Sequence, residues 1–279
     1  MNPDNIWDLP FGTPAELELH ADWGTLTIVP VEPGGQPRLQ LHRGSEHIVP
    51  EIEKHGGLVR VRLEPRRDFS WFGAWDCKAT LHVPADVRAH IQTNAGSVHA
   101  RDLEGCELGI KANAGKIELA NVHGLLHLAA DAGSVSGRDV GGYLNVETQA
   151  GQVRLEVTEL LPGEHRVRAT MGEVRLQLAP GLDVCIEAHT SLGSIRNDYP
   201  SRQSAPTKLQ LSTEMGSVRI EQGGFNMSSR PRVPRQPERP AAPVERATDP
   251  ELERILKMVE AGELSAQEAD DLLQAMGKA

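Results

Sequence analysis

Asn94-Ala95-Gly96-Ser97-Val98 is followed by Asn113-Ala114-Gly115-Lys116-Ile117, by Asp131-Ala132-Gly133-Ser134-Val135 and by Gln149-Ala150-Gly151-Gln152-Val153. Met171-Gly172, Leu192-Gly193 and Met215-Gly216 continue the series, with glycines spaced 18 to 23 residues apart. Two residues after each glycine stand Val98, Ile117, Val135, Val153, Val174, Ile195 and Val218, all β-branched and therefore suited to a strand. Five before it come Ile91, Ile110, Leu128, Val146, Val167, Ala188 and Leu211, and three before it only Thr or Ala. Polar residues such as Gln92, Lys111, Glu147, Arg168 and His189 alternate with these. Each copy therefore reads as two short strands of period two around a turn. The glycine is expected at φ > 0, and Asn or Asp two residues earlier is expected to tolerate the turn geometry.

A unit of about 20 residues cannot bury its own apolar face, so it must stack on copies of itself. The expected fold is all-β: a β-solenoid, parallel β-helix-like, of about seven coils, each about 4.8 Å from the next. Leu103-Glu104-Gly105, Val122-His123-Gly124 and Val140-Gly141-Gly142 mark a second corner in the first three coils, so the rung has more than two sides. The leucine-rich LxxLxLxxN pattern is missing. The small residue three before the glycine leaves little room at the axis, in keeping with only four Phe, four Trp and two Tyr.

Outside the repeat the composition changes twice. Residues 1–14 read as a tail and 15–84 as an N-terminal β cap with several alternating stretches; within it Gly24 partly fits the frame. A cap is expected because a solenoid end is an open sheet edge. The repeat domain spans 85–222. Residues 223–248 hold five arginines and five prolines and read as a linker. From Asp249, an N-cap before Pro250, two amphipathic helices are expected, broken at Gly262 and reopened by the capping box Ser265-Ala266-Gln267-Glu268. Leu252, Leu256 and Val259 on the first, and Leu272 and Leu273 on the second, form apolar stripes that a hairpin this small cannot bury alone. They are the candidate partner-binding residues, for a protein partner or for self-association.

The frame Val-x-Thr-x-x-Gly-x-Val-x-Val, preceded by Ala79-Thr80-Leu81-His82-Val83-Pro84, resembles the bacterial putative-adhesin β-strand-repeat family, a domain of unknown function, over residues 15–222. The segment from Glu253 to Ser265 looks like the SHOCT-like helical hairpin that accompanies this repeat in envelope-stress proteins of the LiaX and YvlB type. The pairing implies a non-catalytic interaction scaffold, with the solenoid as rod or binding surface and the hairpin as oligomerisation or docking element. The resemblance supplies no catalytic residues.

Composition narrows the remaining classes. With 29 Lys+Arg against 39 Asp+Glu the net charge is −10, so no global attraction to nucleic acid is expected, and membrane-surface contact would have to be local. The absence of an 18-residue apolar run and of a basic, apolar start leads to the expectation of a bacterial cytoplasmic protein, peripheral membrane association aside. Cys77, Cys106 and Cys185 form no CxxC, which fits reduced buried thiols. His90 and His127 share an outward position two coils apart, about 10 Å, too far for one metal. No GxSxG, HExxH, P-loop or calcium repeat is present, and the acids scatter. No enzyme, metal or cofactor is expected; the competing class is a glycan-binding or glycan-cleaving β-helix.

Two surface features remain. Arg154, Arg175, Arg196 and Arg219 recur three residues after the glycine as an outward ladder along which an anionic polymer could lie. Two positions on, Glu156, Asp198 and Glu221 supply the acids that a merely solvated face would need. Phe69, Trp71, Phe72 and Trp75 crowd one segment, either an exposed contact for a partner, headgroup or glycan, or a loop folded over the solenoid end.

Overall fold

In a computed structural model of the chain, residues 5–43, 48–65 and 77–223 are described, and they contain no α-helix. The strands are β1 (Ile6–Asp8), β2 (Glu16–Pro30), β3 (Arg38–Arg43), β4 (Ile48–His55), β5 (Leu58–Pro65), β6 (Lys78–Val83), β7 (Arg88–Leu160), β8 (Gly163–Leu178), β9 (Val184–Asn197) and β10 (Thr207–Gln222). β7 runs unbroken through four copies of the repeat. The solenoid is parallel and keeps the register read from the glycines: Gly24 pairs with Gly96, Leu19 with Ile91 and Leu26 with Val98, and further along Gly151 pairs with Gly172. β2 is thus a full coil. β5 and β6 together form another rung outside it, with Leu19 beside Val61 and Ile28 beside Leu81.

The order of coils in space departs from their order in sequence at both ends. β2 precedes β5 and β6 in the chain but lies between them and β7. β10 follows β9 but is inserted between β8 and β9, pairing Gly216 with Gly172 on one side and with Gly193 on the other. Sequence spacing alone orders the copies serially. At the N-terminal end the exposed edges are closed by antiparallel strands, β4 on β5, β3 on β6 and β1 on β3. Such a cover satisfies edge N–H and C=O groups that would otherwise recruit another chain.

Inward columns make the core. Val98, Ile117, Val135, Val153, Val174 and Val218 are buried, as are Ile91, Ile110, Leu128, Val146, Val167 and Leu211. The seventh member of the first column, Ile195, is 44% exposed, because β9 is the last coil and nothing described stacks beyond it. The second corner is present too. Asp102, Asn121 and Asp139 take φ of 52 to 58°, the left-handed region that short Asx side chains tolerate, and each is followed by a buried Leu103, Val122 or Val140.

Six of the seven frame glycines, Gly96, Gly115, Gly151, Gly172, Gly193 and Gly216, take the positive φ expected, 137 to 157°. Gly133 lies outside the left-handed region, yet a Cβ there would overlap the carbonyl oxygen of Gly115. The same collision recurs coil after coil, so close approach of neighbouring backbones joins positive φ in excluding a side chain at this column, and at Gly133 it acts alone. The polar residues two before the glycine likewise serve as a ladder. Asn94 donates to Asp22 at 2.8 Å, Asn113 to Asn94 at 2.9 Å and Gln149 to Asp131 at 3.0 Å. Side-chain amides stacked in register are the usual polar reinforcement of in-register parallel strands.

Candidate functional site

Three sets of residues were expected to carry function. The hairpin residues Leu252, Leu256, Val259, Leu272 and Leu273 lie outside the described residues, as do Phe69, Trp71, Phe72 and Trp75. The arginine ladder is described. Its spatial order is Arg154, Arg175, Arg219, Arg196, since β10 stands between β8 and β9. Arg219 meets Glu221 at 3.4 Å and Arg196 meets Asp198 at 2.7 Å, the acids expected. Arg175 meets Glu173 at 2.9 Å, and Arg154 reaches the other oxygen of the same carboxylate at 3.9 Å. Glu173, one residue after the glycine, thus takes the place expected for Glu156, reaching Arg175 on its own strand and Arg154 one coil over. All four arginines carry a carboxylate, which is how adjacent cations about 4.8 Å apart are accommodated on a solvated face.

The same outward face forms an open groove of about 850 Å³, lined among others by Lys78, Arg101, Arg138, Arg154 and Arg175. Glu118 and Glu156 also line it, and Glu118 is held by His99 at 2.8 Å. Ala120, Ser136 and Gly137 keep the groove open between the larger side chains. Its chemistry is that of a mixed, modestly basic surface, suited to reversible polar contacts.

The second corner gathers residues that the sequence reading did not connect. Thr158 donates its hydroxyl to Asp139 at 2.6 Å, and His123 lies 3.3 Å from Thr158 and 3.5 Å from Asp139. The hydroxyl proton points to the carboxylate and not to the imidazole, so the group braces the left-handed turn and does not activate Thr158 as a nucleophile. Among the described residues no three His, Cys, Asp or Glu side chains are placed to hold a metal ion.

Buried polar groups were also missed. His165 is fully buried; its Nδ1 accepts the Leu144 N–H at 3.1 Å and its Nε2 donates to the Leu161 carbonyl at 2.7 Å. Burial lowers its pKa below the ordinary imidazole value, opposed by the bond to Leu161. Its place two residues before Val167 is an inward one, and that parity was the available signal. Tyr199 donates to the Ala179 carbonyl at 2.7 Å and accepts the Leu182 N–H at 2.8 Å, bracing the last turn; burial raises its pKa. The three cysteines are buried, and burial pushes the Cys106 thiol up to about 12.

Residues 84–221, which carry the glycine column and both corners, match the family model Toastrack DUF4097. The repeat is similar to a Toastrack domain. Residues 250–279 match the model of a SHOCT-like domain, so the Toastrack repeat and the SHOCT-like segment share one chain. Among solved structures, one named "putative cell adhesion protein" from Clostridium sporogenes is 12% identical, with 78% of this chain and 98% of that chain covered at a TM-score of 0.36. A "putative adhesin" from Bacteroides fragilis is 11% identical, with 77% and 94% covered at the same TM-score of 0.36. No curated protein matches the chain.

Proposed function

We propose that this chain is a non-catalytic interaction scaffold of the bacterial cell-envelope stress response. In this reading the Toastrack solenoid is a rigid rod that presents its outward faces, and the SHOCT-like hairpin is the element that docks the rod to a protein partner or to itself. The observation that carries the reading is the union of the two on one chain: a rod held by backbone pairing and side-chain ladders, and a SHOCT-like segment in which the sequence spacing of Leu252, Leu256, Val259, Leu272 and Leu273 predicts stripes too large for so small a hairpin to bury. The groove on the outer face supports the same view, because its paired charges favour reversible contacts over chemistry. A cytoplasmic site of action, with contact to a membrane surface through local features only, belongs to this proposal. No described helix is long and apolar enough to cross a membrane.

The deciding experiment is affinity capture with the full chain, with a chain lacking residues 249–279, and with Leu256→Asp combined with Leu272→Asp. Loss of the same specific partner from both altered chains is the expected result, because a charge buried without a counter-charge costs several kcal/mol. Unchanged partners in all three would move the contact to the rod. Retention on a glycan array would then favour the adhesin-like alternative, a glycan-binding or glycan-cleaving β-helix, and the segment holding Phe69, Trp71, Phe72 and Trp75 would be the first place to mutate.

A further inference from the structure

The two ends of the solenoid are finished differently. Antiparallel strands β1, β3 and β4 close the N-terminal end, whereas at the other end β9 pairs only with β10 among the described residues. Part of its free edge is taken by the following loop: Arg202 donates its N–H to the Val184 carbonyl at 2.9 Å, and the Ile186 N–H goes to the Ser201 hydroxyl at 2.9 Å. These bonds also fix which groups face outward. Val184 and Ile186 point away from β10, so by strand alternation Ala188 and Thr190 do as well. Beyond the corner Asp198 donates to Ile220 of β10, so Asn197, Ile195 and Gly193 point outward. From Ala188 to Asn197 the edge is bare among the described residues, and it exposes two large apolar side chains among polar ones: Leu192 is 68% and Ile195 44% exposed.

We infer that a second copy of this chain completes this edge, the two β9 strands running antiparallel about a two-fold axis through the corner at Ser191 and Leu192. The ladder parity, the corner and the facing side chains together select this occupant and this register. An antiparallel ladder joins residues that both point outward, which permits Ala188 opposite Ile195 and forbids a shift by one residue. Making the two corners coincide then selects this register from those left. In that register Glu187 stands opposite Arg196 of the other copy, a charge-complementary pair on the outer face, and the half-buried Ala188 and the exposed Ile195 cover one another. Finally, Met171, Met215 and Leu192 form an exposed corner ridge on the last three coils, and the two-fold axis makes the two ridges continuous at Leu192.

The free edge is short. Ten residues at about 3.3 Å each and about 10 Å of sheet depth give roughly 330 Å² per copy, well below the roughly 800 Å² per partner of a standard interface. The association is therefore of the weak class, and the test must trap it. Glu187 and Arg196 form a non-hydrogen-bonded pair in the proposed register, whose close Cα spacing suits a disulfide. The full chain carrying Glu187→Cys and Arg196→Cys together is oxidised at concentrations from about 1 to 100 µM, a range matched to weak interfaces. The expected product is a covalent dimer in most of the protein at the upper end, with each single variant giving less than about a tenth as much. Adding Ile195→Lys, at a position already exposed in the coil, should suppress the dimer while the far-UV spectrum is retained. Leu256→Asp with Leu272→Asp should leave it unchanged, which separates this edge from association through the hairpin. A folded double-cysteine chain that stays monomeric at every concentration overturns the inference. So does cross-linking indifferent to Ile195→Lys, or lost on altering Leu256 and Leu272.

Discussion

Gly172 pairs with Gly216 and not with Gly193, the next glycine of the repeat along the chain. The last coil in sequence is therefore the penultimate coil in space, clamped between β8 and β9, and β2 is enclosed in the same way between β7 and the β5–β6 rung. A serial solenoid frays from its final coil inward. Here fraying has to begin at β9.

Hydrogen exchange measures this directly. Amides of β10 that bond within the ladder, such as those of Leu209 to Ser212, should exchange at least about tenfold more slowly than those of Glu187 to His189, although β10 is nearer the C-terminal segment. Faster exchange in β10 than in β9 would contradict the interleaved order.

The glycine column makes a second prediction, in which two kinds of glycine are set against each other. Gly133 is outside the left-handed region but has no space for a Cβ, whereas Gly105 has φ of 71° and nothing within 4 Å of an added Cβ. Gly105→Ala should cost about 1 kcal/mol of backbone strain. Gly133→Ala should cost more, of order 2–3 kcal/mol, because two coils must move apart. Melting curves of the two variants decide it, and the reverse ranking would show that conformation, not contact, governs the column.

The contrast also marks what was legible. Period-two alternation and the fixed offset of Val98, Ile117, Val135, Val153, Val174 and Val218 from their glycines disclosed the solenoid, because a buried column leaves its chemistry in every copy. Interleaving of β9 and β10 left no such mark: parallel coils with one register can stack in either order without changing which side chains face inward. Ile195 carries the residue type of a core position and sits at an open end for that reason. Pairing of Arg154 and Arg175 with Glu173 was hidden similarly, since contacts between coils depend on rotamers and not on spacing. Of the segments proposed to bind partners, Phe69 to Trp75 was conspicuous through composition and Leu252 to Leu273 through helical periodicity and capping, and both lie outside the described residues.

Acid should loosen the solenoid through His165. Its folded-state pKa lies below the unfolded value of 6.5, mainly because of burial, so the unfolded chain binds the proton first. The corresponding stability is fully present above pH 6.5 and is lost as pH falls from there through the depressed folded value. His82 is shifted the same way, by burial and then by Arg38, and adds to the same window. His165→Gln can keep an acceptor for the Leu144 N–H and should flatten the pH dependence of denaturant midpoints below pH 6.5, leaving the contribution of His82. An unchanged slope in that variant would assign the acid sensitivity elsewhere.

Cys106 should be chemically silent in the folded chain. With its thiol pushed up to about 12, little thiolate exists at pH 8, and the Sγ–H is engaged with the His123 carbonyl at 3.6 Å. Alkylation at Cys106 followed by mass spectrometry should proceed at the rate of local opening, and should accelerate by orders of magnitude in denaturant. Rapid labelling of the native chain would mean that the second corner opens readily there.

The arginine ladder yields the last prediction, because one carboxylate neutralises half of it. Glu173 serves both Arg154 and Arg175, whereas Arg219 and Arg196 each have an acid on their own strand. Glu173→Gln should therefore leave two neighbouring cations in the groove without a counter-charge, while Glu221→Gln leaves one. On an immobilised sulfated polymer the wild-type chain, with a net charge of −10, should elute at low salt, and Glu173→Gln should elute at higher salt than Glu221→Gln although both change the net charge equally. Exposed pairs of this kind contribute only about 0–1 kcal/mol, so both variants should melt close to the wild type. Equal elution of the two variants would show that net charge, and not the ladder, sets the affinity for anions. Strong wild-type retention abolished by Arg154→Gln would instead make the ladder a binding site despite its acids.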